Sequence, residues 1–145
     1  MSILIEDLKY EDIEETYKLT SLVFEEAYDL FEIKALYLKL HEDKNQYRFL
    51  VAKKDNVVVG FLSLNMAYNL FDGNKPFMTL WWVCTHPDYR RLGIATKLLT
   101  EAEKIGRENN CDFICFISEN EREGAHKFYI KNGYNMGFKG FMKLL

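Results

Sequence analysis

Two apolar runs separated by one amphipathic helix constrain this chain more than any other feature. Phe77–Cys84 is apolar almost throughout and Phe113–Ile117 entirely so. Strands that lack a polar face are strands covered on both sides. Between the runs, Ala95, Leu98, Leu99, Ala102 and Ile105 form an apolar stripe at helical spacing, in a helix from about Gly93 to Asn109. Strand, helix, strand, with both strands buried, predicts a parallel βαβ unit with a right-handed crossover.

The flanking segments extend that unit. Ile3, Leu4 and Ile5 in Ser2–Lys9 predict a short strand. Asp12 before Ile13, with Glu15 three residues on, predicts a capped first helix with Ile13, Tyr17, Thr20, Phe24 and Ala27 on one side. A second helix is expected over Phe31–Leu40. Tyr47–Lys53 and Val57–Tyr68 meet at Asp55-Asn56, a hairpin signal, and Phe71–Pro76 is a turn cluster. Glu121–Lys131 predicts a last helix stopped by Asn132-Gly133, and Tyr134–Leu145 one or two short strands. The expected fold class is mixed α/β, a central mixed sheet with helices on both faces. A chain of 145 residues makes this one domain, 1–145, with a single core.

Composition excludes several classes. The 19 Lys and Arg against 22 Asp and Glu leave a net charge of −3 without a basic tract, unlike a nucleic-acid binder. No apolar run nears the roughly 20 residues of a membrane span, and the first residues do not read as a secretory signal. Cys84, Cys111 and Cys115 are odd in number and read as reduced, buried thiols of a cytoplasmic protein. No His, Cys and Asp spacing resembles a metal site.

The stretch from His86 to Ala95 carries the first chemical signal. A strand ends, the chain turns, and a helix opens at Gly93-Ile94-Ala95. Unpaired amides at a helix N-terminus attract anionic oxygens, Gly93 lets them approach, and Arg90 and Arg91 add charge. An ordinary strand-to-helix turn uses the same residues. Neither a P-loop nor a dinucleotide fingerprint is present, which disfavours kinases and dehydrogenases. The second signal is Ser118-Glu119-Asn120 followed by Ala125–Tyr134. Phe128 and Tyr129 diverge by about 100° on a helix, so Phe128 can face the core and Tyr129 a cleft. Simple packing is the other reading of Tyr129.

Arg90-x-x-Gly93-x-Ala95, then Asn120, then Ala125-x-x-Phe128-Tyr129-x-x-x-Gly133-Tyr134 resembles the GNAT superfamily of N-acetyltransferases, over about Thr79–Tyr134. The resemblance implies an acetyl-CoA-dependent acyltransferase that acetylates a primary amine of a small molecule or peptide. It implies a sheet splayed after the strand at Phe77–Cys84, where the pantetheine arm pairs with the backbone of Trp82, Val83 and Cys84. The amides of Arg91, Gly93, Ile94, Ala95 and Thr96 would hold the pyrophosphate, with Arg90 at the same mouth. Asn120 would contact the cofactor, and Tyr129 would lie beside the sulfur as the acid for the departing thiolate. The partners expected are acetyl-CoA and an amine, with no nucleic acid and no membrane; a homodimer is left open.

An alkyl ammonium is almost wholly protonated at pH 7, so a route for its proton is needed. Many relatives carry a carboxylate on the strand matching Thr79–Trp82, and this chain has none there. Water relayed to Glu25, Glu26 or Asp29 is one alternative, and the backbone or an already neutral amine another. A backbone N–H freed by a bulge near Trp82–Val83 is expected to meet the developing oxyanion. Glu25, Glu26, Tyr28, Asp29 and Trp81 are candidates for a wall favouring a cationic acceptor; a solvated helix end is the other reading of the acidic residues. The competing functional class is a catalytically silent acyl-CoA-binding module.

Overall fold

The sheet grows outward from its central hairpin. In the computed structural model, which describes residues 2–145, β2 (Tyr47–Lys54) turns into β3 (Val57–Tyr68) through Asp55 and Asn56. Both hold left-handed backbone, φ 52° and 66°, as a two-residue primed turn demands and as Asp and Asn tolerate. β1 (Leu4–Asp7) pairs antiparallel with β2, and β4 (Pro76–Thr85) antiparallel with β3. β5 (Ile114–Cys115) joins β4 in parallel, giving the open mixed order β1-β2-β3-β4-β5. The predicted βαβ unit is therefore present, with α3 (Ile94–Glu108) as its crossover.

Alternation along the strands assigns the two faces. Val51, Phe61 and Cys84 lie side by side in register and cluster with Leu19 of α1 (Ile13–Phe24). Ala52 and Gly60 face the other way, towards α3. A Cβ on Gly60 would fall 2.7 Å from Ile94 Cγ2 and 3.1 Å from Leu98 Cδ1, so glycine is what lets α3 seat this closely. The buried side of α3 is Ile94, Leu98, Leu99, Ala102 and Ile105. Ile94 takes the place expected for Ala95, because Ile94 is the residue that fills the dent at Gly60. α2 (Leu30–Leu40) follows α1, and its Tyr37 hydroxyl donates to the Leu8 carbonyl at 2.9 Å.

Asp12 does not cap α1 as expected. Its carboxylate pairs with Lys53 Nζ at 2.9 Å, beside Glu6 at 2.8 Å, while Glu15 accepts from the Val58 amide at 2.8 Å and ties α1 to the hairpin. A partly buried ammonium attracts Asp12 more strongly than the helix end does.

The β4–β5 ladder holds only Met78 with Ile114 and Thr79 with Cys115. Among the described residues, β4 has no ladder partner on that side from Leu80 to Thr85. Cys115, expected to be buried, is exposed at the end of this two-residue edge strand; Cys84 is buried and Cys111 intermediate. None of the three is in a disulfide, and burial pushes the thiol of Cys111 above its ordinary pKa.

The chain forms two compact units, Met1–Cys115 and Phe116–Leu145. The second contains α4 (Glu123–Lys131). The strands expected in Tyr134–Leu145 are not formed. Asn135 Oδ1 instead accepts from the Gly137 amide at 2.7 Å, a local turn that competes with any ladder. Among the described residues no helix is long and apolar enough to cross a membrane.

Candidate active site

Where β4 loses its partner on one side, its register with β3 also breaks. Phe61 faces Cys84 but Ser63 faces Trp81, so β4 carries one residue too many. Trp82 absorbs the excess at φ 58°. A bulky residue in left-handed backbone is strained, and its surroundings must hold it there. Phe24 meets its indole edge-on at 4.9 Å and Tyr28 at 6.1 Å. This is the bulge expected near Trp82–Val83, and a bulge leaves the extra residue unpaired in the ladder. It also turns both indoles to the α1 side, since Trp81 lies opposite Ser63 while Trp82 lines a cavity with that same Ser63.

That cavity, about 280 Å³, lies among α1, α2 and the sheet. Ile13, Ile33, Leu36, Leu40 and Phe49 give it an apolar wall. Several of its hydroxyls are already committed to backbone carbonyls. Thr16 donates to Asp12 at 2.9 Å, Thr20 to Tyr17 at 3.1 Å and Tyr37 to Leu8 at 2.9 Å. Ser21 Oγ, by contrast, is buried with no hydrogen-bond partner among the described residues. Glu26 is the one charged side chain in the lining, and the Tyr28 hydroxyl donates to its Oε2 at 3.4 Å.

The second feature is the start of α3. Gly93 is its N-cap at φ 74°, with Arg91 also left-handed at φ 66°. The first helical bond runs from the Lys97 amide to the Gly93 carbonyl at 3.0 Å. The amides of Ile94, Ala95 and Thr96 precede it and lack helical acceptors. No side chain caps them and no acid occupies the first turn. A Cβ on Gly93 would meet nothing within 4 Å, so the space before these amides is open. Arg90 and Arg91 are exposed and form no ion pair among the described residues. Oriented amides, a helix dipole and two free guanidinium groups suit a diphosphate. His86 is a structural cap, its Nδ1 accepting from the Asp88 amide at 3.1 Å.

In the second unit, Tyr129 is the buried residue of α4, more so than Phe128. The sequence-based assignment of Phe128 to the core is thus reversed. Phe116 meets the Tyr129 ring edge-on at 4.6 Å, Phe128 at 5.5 Å and Tyr134 at 6.1 Å, so neighbouring aromatics select Tyr129 for burial. Asn120 is exposed before α4. Ser118 Oγ is buried without a hydrogen-bond partner among the described residues.

Of the residues predicted for an acceptor wall, the cavity gathers Glu26 and Tyr28. Asp29 instead caps α2, accepting from the Glu32 amide at 3.1 Å. Glu25 closes α1 in left-handed backbone at φ 56°, its amide donating to Ser21. Trp81 is exposed, its indole N–H donating to Thr79 Oγ1 at 3.1 Å. Sequence reasoning missed Ser21 and the clamp role of Phe24. Phe24 lay on the predicted apolar side of α1, which was a usable signal; an isolated serine offers none.

Comparison with known proteins agrees with this geometry. The profile of the Acetyltransferase (GNAT) family matches residues 10–134. Aminoalkylphosphonate N-acetyltransferase of Salmonella typhimurium is 28% identical over 97 residues, a match spanning 67% of this chain and 62% of that relative. Among solved structures, a transcriptional regulator from Bacillus halodurans superposes with a TM-score of 0.91 at 21% identity, covering 99% of this chain and all of the other. Glucosamine-6-phosphate N-acetyltransferase from Arabidopsis thaliana does so at 0.85 and 11% identity, covering 99% of each chain. At such identities the likenesses establish a shared fold, while the profile spans most of the sequence, including the turn at Gly93 and the helix bearing Tyr129. The chain belongs to the GNAT acetyltransferase family.

Proposed function

We propose that this chain is an acetyl-CoA-dependent N-acetyltransferase acting on a primary amine of a small molecule or peptide. The observation that carries this reading is the uncapped start of α3, with open space before Gly93 and unpaired Arg90 and Arg91. Acetyl-CoA, when bound, supplies an activated acetyl thioester. The amides of Arg91, Gly93, Ile94, Ala95 and Thr96 hold its diphosphate, and the backbone of Trp82, Val83 and Cys84 aligns its pantetheine arm. Asn120 contacts the cofactor.

The remaining chemistry falls to backbone and side chains of this chain. The bulge at Trp82 frees an amide to steady the carbonyl oxygen as it gains charge. Tyr129 donates its phenol proton to the leaving sulfur. Glu26, in the cavity, attracts the protonated form of the amine and relays its proton to water. The Salmonella relative is named as an aminoalkylphosphonate N-acetyltransferase, which supports an amine acceptor. Three cysteines outside any disulfide support a reducing compartment, which we take to be the cytoplasm.

Two measurements test the reading. Titration calorimetry with coenzyme A and with acetyl-CoA should give heat in both cases. Release of free thiol from acetyl-CoA should then depend on an added primary amine. No heat with either form removes the proposal. Heat without amine-dependent thiol release leaves a binding module in its place.

A further inference from the structure

We propose that the cavity between α1, α2 and the sheet selects a monoamine carried on an apolar body, against polyamines and amino sugars. This inference rests on the acetyltransferase reading and names its acceptor class.

Three observations carry it. The first is size, since about 280 Å³ lies at the lower end of small-ligand sites. The second is the inventory of polar groups. Thr16, Thr20 and Tyr37 spend their hydroxyl protons on backbone carbonyls, so those side chains turn mainly carbon towards the cavity. Among the described residues that leaves few polar groups in the lining, the hydroxyls of Tyr17, Ser21 and Ser63 and the Trp82 indole N–H, against a wall of carbon. The third is charge. Glu26 is the one acidic side chain in the lining; it accepts from the Tyr28 hydroxyl, and the Tyr28 ring meets that of Trp82 edge-on at 6.1 Å.

One carboxylate beside two aromatic rings suits one ammonium, through an ion pair and cation–π attraction. Beyond it, Ile33, Leu36 and Phe49 suit carbon. A polyamine would bring further ammonium groups to a wall with one carboxylate, and an amino sugar several hydroxyls to a wall that is mostly carbon. Each polar group buried unmatched lowers kcat/KM roughly ten- to a hundred-fold.

The test compares 2-phenylethylamine with spermidine and kanamycin as acceptors, by thiol release at saturating acetyl-CoA. The expected result is a kcat/KM for 2-phenylethylamine at least about a hundred-fold above either competitor. Equal or better use of spermidine or kanamycin overturns the inference and leaves the acetyltransferase reading standing. Direct titration of 2-phenylethylamine into the protein gives a readout independent of turnover. Glu26→Gln, at an exposed position, should weaken that binding about ten-fold and leave coenzyme A affinity unchanged. Leu36→Trp, which adds bulk at a half-exposed rim, should do the same. Failure of 2-phenylethylamine to bind, or binding indifferent to both substitutions, overturns the inference. If no amine releases thiol, the acetyltransferase reading fails, and titration of spermidine and kanamycin decides the inference: weaker binding than 2-phenylethylamine upholds it, and equal or tighter binding overturns it.

Discussion

Trp82 and Phe24 meet edge to face, their ring centroids 4.9 Å apart and their planes at 82°. This contact joins α1 to the one residue of β4 in left-handed backbone, φ 58°. Trp82→Ala removes the contact and keeps the strain, and should cost about 2–3 kcal/mol for this half-buried ring. Trp82→Gly removes both. It should therefore be no less stable than the alanine variant, the reverse of the usual order in a strand. Urea unfolding of the two variants decides it.

Gly93 holds φ 74° with open space beside it. Gly93→Val meets no neighbour in the free protein, so its stability loss should be limited to about 1–2 kcal/mol of backbone strain. Its branched side chain would project towards the space proposed for the diphosphate. Coenzyme A affinity should fall at least about ten-fold. Calorimetry giving unchanged affinity would show that the α3 terminus is not the phosphate site.

Tyr129→Phe keeps the ring packed against Phe116 and deletes only the hydroxyl. The acid role predicts a kcat about a hundred-fold lower. Coenzyme A affinity should stay within about two-fold. Equal turnover by the variant would reduce Tyr129 to packing.

Lys53 sets an alkaline limit on stability. Burial works against its charge, but the hydrogen bonds it donates to Glu6 and Asp12 outweigh that effect and hold its pKa above the ordinary value of 10.5. A group whose pKa is raised by folding stabilises the fold fully below its unfolded pKa. That contribution is lost as pH climbs through the folded value. Unfolding midpoints should therefore drop above about pH 10.5 in the native chain, with less of a drop in Lys53→Met. At neutral pH the same substitution should cost roughly 2–3 kcal/mol, because it leaves two carboxylates facing each other. Thermal melts between pH 7 and 12 check both statements.

The central βαβ unit was legible because its signals are local. An unbroken apolar run, a 3.6-residue stripe and a glycine at a helix start depend only on neighbours in sequence. Asp55-Asn56 was legible for the same reason, since backbone preference is local. The bulge at Trp82 was expected near its true place only through the family resemblance, because it exists as a register shift between two cross-strand pairs, Phe61 with Cys84 and Ser63 with Trp81. Asp12 was misread as a cap because its real partner, Lys53, lies on another element.

The amino-acid sequence by itself determined which segments would be strands and helices around the core, and where amides would be left open at Gly93. Both follow from periodicity and backbone freedom within a few residues. Tertiary structure alone decided that Glu26 rather than Asp29 lines the cavity and that Ser21 is left without a partner. It also decided that Tyr129 rather than Phe128 is the buried ring of its helix. Those outcomes depend on which side chains converge from distant parts of the chain, and no spacing along it records that.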